Sequence, residues 1–245
     1  MPWRTKMTAD IAALITTLKL ASVTTVILLI IGIPSAWYLA RWQSKWRIWC
    51  EALVALPLVL PPTVLGFYLL IAFSPESLPG QVWQSVTGQQ LAFSFSAIVI
   101  GSVLYSLPFV IQPLQKAFEQ IEQRVLDKAY MLGASKLDCF TSIVLPSCKT
   151  SLITATTLGF AHTIGEFGVV LMIGGNIPEE TRVLSIALFD HVEAFNYKAA
   201  HQLAAGLLIG SMLVLALVYL INFNEQKSSS GENLNKQLTR SKDDS

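Results

Sequence analysis

No charged side chain occurs between Lys19 and Arg41, and the chain returns to that character four more times. The later runs lie between Glu51 and Glu76, from about Leu91 to Lys116, from about Thr150 to Ile173, interrupted there by His162 and Glu166, and between Lys198 and Glu225. About 20 apolar residues in a helix cross a hydrocarbon core, and in that core the backbone must satisfy itself as a helix or a closed barrel. Barrel strands alternate apolar and polar residues, whereas these runs are continuous. The sequence therefore predicts an all-α, polytopic membrane helix bundle of five spans. A sixth helix stays open over 183–197, where Ile186, Leu188, Phe189 and Val192 give a moderately amphipathic face suited to an outer surface. Only 13% of residues are charged, against about 25% in a soluble domain, too few to cover a soluble fold.

Lys and Arg set the direction, because the short loops that carry them stay cytoplasmic. Arg41, Lys45, Arg47, Lys116, Arg124, Lys128, Lys136, Lys149, Lys227, Lys236, Arg240 and Lys242 fall on one face. Arg4, Lys6, Arg182 and Lys198 fall on the other. Twelve against four puts the first face in the cytoplasm, the N-terminus outside and the C-terminus inside, although the formal net charge is only +1. Residues 1–10 become an extracytoplasmic segment and 11–223 the membrane domain. Residues 224–245, polar and Ser-rich, are expected to be a disordered cytoplasmic tail. The first run is too long for the h-region of a cleavable signal and lacks an A-x-A site. Cys50, Cys139 and Cys148 then face a reducing compartment, without C-x-x-C spacing or a nearby His pair for a metal.

Residues 117–146 form the longest charge-bearing amphipathic stretch. Phe118, Ile121, Val125, Ala129 and Leu132 are spaced as one helical stripe, and Glu119, Glu122, Gln123, Arg124, Asp127 and Lys128 cover the other face. Gly133 offers the left-handed backbone that ends a helix at low cost. Ser135 and Asp138 have the spacing of a capping box, opening a second short helix with Leu137, Phe140 and Val144 on one side and Pro146 at its close. Two amphipathic helices joined by a glycine turn, between two spans, predict a docking surface.

Two further stretches break the apolar pattern. Pro57, Pro61 and Pro62 remove backbone donors from the second span, giving either an ordinary kink or an irregular bend beside a pathway. Irregular backbone at membrane depth is tolerated only against protein or water, so this span is expected to be central. In the fourth, His162 and Glu166 are four apart and could pair on one helix face; a charge there faces the bundle interior or water. Gly174-Gly175-Asn176 followed by Pro178 predicts a turn at the membrane exit. No G-x-x-x-x-G-K-[ST], H-E-x-x-H or G-x-S-x-G occurs, so the chain has no ATP site of its own and no catalytic set. An ion-coupled secondary transporter using His162 and Glu166 is the competing reading.

The spacing of 117–146 resembles the coupling (EAA) loop of ABC-transporter permeases, Glu-Ala-Ala, three residues, Gly, nine residues, Ile-x-Leu-Pro. Here it is Asp127-Lys128-Ala129, Gly133 and Ile143-Val144-Leu145-Pro146, with a shorter acid and a lysine as departures. Leu56 to Pro62, Gly165-Glu166-Phe167-Gly168, and Gly175 to Pro178 with Thr181 are similar to the molybdate permease subunits of type I importers. Sulfate and tungstate permeases are near relatives, and Phe167, where sulfate permeases tend to carry Tyr, favours molybdate. The resemblance spans roughly residues 11–222. It implies a type I ABC importer permease with cytoplasmic coupling helices, a non-catalytic, multi-pass subunit of the bacterial inner membrane that works as a homodimer among membrane lipid. A cytoplasmic ABC ATPase dimer would receive the coupling loop and hold the ATP and Mg. A periplasmic molybdate-binding protein would deliver the oxyanion. No cofactor or metal in this chain, and no nucleic acid, is implied. The coupling contact falls to Asp127, Ala129, Gly133, Ile143, Leu145 and Pro146. The pathway or gate falls to Pro57, Pro61, Pro62, Thr163 and Glu166, in a conduit of small and hydroxyl side chains that includes Thr154, Thr156 and Thr157.

Overall fold

Thr and Ser in an apolar helix can turn their hydroxyls back onto the carbonyl four residues earlier, so they add no unsatisfied donor. The first helix, α1 (Pro2–Arg41), uses this device: Thr17 donates to the Ala13 carbonyl at 2.8 Å and Thr25 to that of Ala21 at 2.7 Å. The computed structural model describes residues 2–216 and 219–220, with side chains from Ala9 onward. The expected tail over 224–245 lies outside the described residues. Residues 2–10 are helical and continuous with the first span, and Lys19 lies inside the helix with its Nζ over the Phe95 ring.

The remaining helices are α2 (Trp46–Val59), α3 (Pro62–Phe73), α4 (Leu78–Thr87), α5 (Phe95–Glu119), α6 (Gln123–Met131), α7 (Lys136–Cys139), α8 (Leu145–Ser147), α9 (Lys149–Gly165), α10 (Gly168–Gly174), α11 (Leu184–Glu193) and α12 (Tyr197–Ala216). One π-helical turn, Phe140–Val144, joins α7 to α8. No strand occurs among the described residues. Three helices are individually long and apolar enough to cross a membrane, and five spans result if each of two bent pairs counts as one. The sixth helix left open by the sequence is α11, whose ten residues are too short to cross. It rests on α1, where the Leu184 N–H donates to Thr17 Oγ1 at 2.7 Å.

Two of the apolar runs break into bent helix pairs for reasons visible in their residues. A residue before proline is pushed to extended backbone, and Leu60 and Pro61 both precede one; their ψ angles are both 135°. The chain turns 111° between α2 and α3. The fourth span breaks between α9 and α10, where Glu166 is extended (φ −70°, ψ 134°) and the axis bends by 60°.

The core runs through α1, α5 and α9, where small residues let backbones approach. Val110 of α5 sits between Gly32 of α1 and Gly159 of α9, and a Cβ on Gly159 would come within 2.8 Å of Val110 Cγ2. Leu20, Leu28, Ile98, Ile111, Leu114 and Phe118 complete the sealed interior. The two halves of the second apolar run pack differently within the single chain. α2 has no buried residue and touches the bundle along α5, whereas its second half, α3, packs against α10. Proline broke the span, and only the half beyond the break turns inward.

Candidate functional site

The two breaks meet. Pro62 opens α3 and Gly168 opens α10, and a Cβ on Gly168 would lie 2.8 Å from Pro62 Cβ. One turn further on, Gly66 faces Met172 as closely, so the two half-helices run together as a pair. Glu166 lies at the elbow. Its backbone carbonyl accepts from Ser185 Oγ at 2.6 Å, which ties the elbow to α11. Its side chain is 4% exposed, and neither carboxyl oxygen has a hydrogen-bond partner among the described residues. Ser102 of α5 approaches it, but the Ser102 hydroxyl is also buried and unpartnered.

His162 does not pair with Glu166. The chain leaves the helix at Gly165, so the i, i+4 register does not reach the carboxylate. Instead, Ser106 Oγ and His162 Nδ1 lie 2.8 Å apart, and Ser106 Oγ and Thr163 Oγ1 3.2 Å. The imidazole stacks on Phe109 at 4.0 Å between centroids, with Tyr105 at 4.9 Å. Thr163 donates to the Gly159 carbonyl, and Thr156 and Thr157 likewise donate to their own helix. These hydroxyls keep acceptor lone pairs but have spent their protons.

Of the residues expected at a pathway or gate, the structure brings Pro62, Thr163 and Glu166 to the two elbows. Pro61 is exposed in the first elbow, and Pro57 lies a turn back inside α2. Ser102, Ser106 and Ser185 were missed. Ser102 and Ser106, four apart on an otherwise apolar helix, were the available signal. Among the described residues no group of His, Cys, Asp and Glu is clustered to hold a metal ion.

The second cluster is a knuckle over 120–148. The expected stripe from Phe118 to Leu132 is not one helix. α5 ends at Glu119, α6 begins at Gln123, and the buried face of α6 is Leu126 and Ala129 rather than Val125 and Leu132. Gly133 has φ +90°, and the Gly133 and Ala134 N–H groups donate to the carbonyls of Tyr130 and Ala129, closing α6 in a Schellman motif. Ser135 and Asp138 form a complete capping box for α7. In the second arm Val144 is sealed and Phe140 half-buried, whereas Leu137 is turned out. Met131, Leu132 and Leu137 are 88%, 89% and 71% exposed around the glycine turn. Asp127 is exposed and accepts from Gln123 Nε2 at 2.9 Å; Ile143 and Leu145 are half-buried and Pro146 exposed.

The same end of the bundle is bound by charge. Arg47 Nε lies 2.6 Å from Glu51 and its Nη2 reaches Glu119, with Gln115 donating to both carboxylates, so α2 is fixed to the end of α5. At the opposite end Arg182 pairs with Asp190 at 2.9 Å and His191 Nε2 lies 3.1 Å from Asp10.

Comparison with known proteins gives this geometry a family. The family described as "Binding-protein-dependent transport system inner membrane component" matches residues 28–224. The molybdenum transport system permease protein ModB of Azotobacter vinelandii is 55% identical over 210 residues, covering 86% of this chain and 93% of that relative. The sulfate transport system permease protein CysT of Salmonella typhimurium is 33% identical over 205 residues, covering 84% and 74%. Among solved structures, a bacterial ABC transporter involved in the import of alginate aligns with a TM-score of 0.66 at 16% identity, covering 89% of this chain and 79% of that one. The MetNI methionine ABC transporter aligns with a TM-score of 0.63 at 17% identity, covering 92% and 96%.

Proposed function

The chain belongs to the binding-protein-dependent transport system inner membrane components, and from that membership we propose that it is the molybdate-conducting permease of an ATP-driven importer. Its 55% identity to a molybdenum permease, against 33% to a sulfate permease, carries the choice of ion. Sulfate and tungstate are the alternatives, being oxyanions of the same shape and charge. The chain is a membrane component that does no chemistry of its own. The knuckle end, rich in Lys and Arg, is cytoplasmic. There the exposed Met131, Leu132 and Leu137 are the apolar centre, and Arg124, Asp127, Lys128 and Lys136 the charged rim, of a contact with a separate ABC ATPase that binds ATP and Mg.

The pathway runs past the two elbows. A transport route must hold its anion weakly enough to release it, and the elbows offer backbone, with the Ser106 and Thr163 hydroxyls of α5 and α9 nearby, rather than a cluster of cations. Two copies of the chain enclose the route, and the outward Trp46, Trp49, Leu53 and Val59 of α2 leave that helix free to meet the second copy. A periplasmic binding protein supplies the oxyanion at the far end. ATP-driven closure of the ATPase pair moves the knuckles, and the bundle follows as rigid bodies.

The test is co-purification with the ATPase, combined with ATP-driven uptake of labelled molybdate. Gly133→Pro and Asp127→Lys are expected to abolish the ATPase contact, and uptake in the unaltered complex is expected to be competed by tungstate more than by sulfate. An ATPase that still binds after deletion of 123–146 would end the docking assignment. Uptake driven by a proton gradient without ATP would replace it with the ion-coupled reading.

A further inference from the structure

One turn of α1 holds both arms of the knuckle. Trp37 and Arg41 are four apart and share a helix face. The Arg41 guanidinium lies over the Trp37 ring at 4.8 Å. Its Nη2 donates to the carbonyls of Phe118 at 3.3 Å and Ile121 at 3.0 Å, and its Nη1 to Gln123 Oε1 at 3.2 Å. Phe118 and Gln123 flank residues 120–122 and Ile121 lies within them, where the long α5 gives way to α6. Gln123 in turn donates to Asp127, so a chain of polar contacts runs from α1 to the acidic residue of the docking arm. Trp37 reaches the other arm: its ring sits 5.4 Å from Phe140 in the π turn and 5.5 Å from Phe118, edge to face in both cases.

We propose that Arg41 and Trp37 are positioning residues that make the knuckle and the bundle move as one body, passing ATPase-driven displacement into α1 and α5 instead of letting it dissipate at 120–122. Three properties support this. A three-residue break between two helices is a natural hinge. Arg is the side chain whose planar fork can hold several oxygens in fixed geometry at once. Each element needed for transmission, namely the span end, both arms and the neighbouring helix, converges on these two side chains. Neither side chain is part of the exposed Met131, Leu132 and Leu137 surface, so the role is separate from docking itself. The inference rests on the docking reading above.

The experiment uses the full complex with its ATPase and binding protein in proteoliposomes, measuring bound ATPase, ATP hydrolysed and molybdate imported. Arg41→Met is expected to retain the ATPase at unchanged stoichiometry while ATP hydrolysed per anion imported rises about tenfold, the scale of losing a set of charge-assisted hydrogen bonds. Arg41→Lys, which keeps a charge but not the fork, is expected to fall between. Trp37→Leu is expected to raise the same ratio with Arg41 intact. If hydrolysis and uptake fall together so that the ratio stays constant, the proposal is overturned and Arg41 is only structural. Should Arg41→Met not fold, Arg41→Gln carries the same test, and a constant ratio there overturns it equally. Absence of bound ATPase from the unaltered protein would instead defeat the docking reading, leaving a distinct signature.

Discussion

A carboxyl group sealed from water, with no well-formed hydrogen bond among the described residues, is a cost that packing does not explain. Glu166 is that residue, at the elbow of the fourth span. Glu166→Gln preserves the shape and removes any charge from the site. If the acid serves transport, the variant is expected to hold or gain stability, by about 2–4 °C in melting temperature for each kcal/mol recovered, while molybdate uptake falls several-fold. A lower melting temperature with undiminished uptake would make Glu166 structural. The residue was legible from the sequence, since an acid in an apolar run draws notice, but its surroundings were not. Pairing it with His162 assumed that the helix continues, and the chain ends α9 at Gly165. His162 turns to Ser106, which lies 56 residues away in sequence, a contact that no local spacing encodes.

At the scale of elements, the contact of α3 with α10 depends on a missing side chain. Gly168→Ala would place a Cβ 2.8 Å from that of Pro62, and neither proline nor helix start can rotate away. The expected cost is about 1–3 kcal/mol, typical of overpacking, read as a lower melting temperature, with Gly165→Ala, whose Cβ meets nothing within 4 Å, as the mild control. The α7 cap gives a pH signature. The Ser135 hydroxyl, and after it the Ser135 backbone N–H, hold Asp138 below the usual carboxylate range. A depressed folded value means that the cap's contribution is complete at neutral pH, declines below the ordinary carboxylate value of ~3.9, and is lost as pH falls through the lowered one. Hydrogen exchange at Asp138 and Cys139, corrected for intrinsic rates, should therefore accelerate in acid in the native chain and not in Asp138→Asn. That box and the Gly133 turn were legible because caps are local. The break at 120–122 was not, because the side chain bracketing it, Arg41, lies about eighty residues upstream. Helix α4 carried its own signals, Ser77 accepting from Gly80 N–H at the start, Gly88 at φ +73° at the end, and Leu78, Val82 and Val86 four apart between them, and it was missed all the same.

For the whole molecule, the orientation in the membrane decides whether the knuckle can meet an ATPase at all. Lys and Arg placement sets that orientation, and the structure supplies good labelling positions. Cys139 and Cys148 are buried and Cys50 half-buried, so the background reaction with a membrane-impermeant maleimide should be low. Ser85 on α4 and Lys136 on α7 are exposed and lie on opposite sides in the proposed topology. In spheroplasts Ser85→Cys is expected to label at once and Lys136→Cys only after permeabilisation. The reverse pattern would put Met131, Leu132 and Leu137 outside the cell, away from any nucleotide, and the coupling role would fall with it. Labelling of Lys136→Cys after permeabilisation should also be suppressed when the ATPase is bound. Deletion of 123–146 cannot give that second result, since it removes the surface; protection of an intact knuckle links orientation to docking in a single measurement.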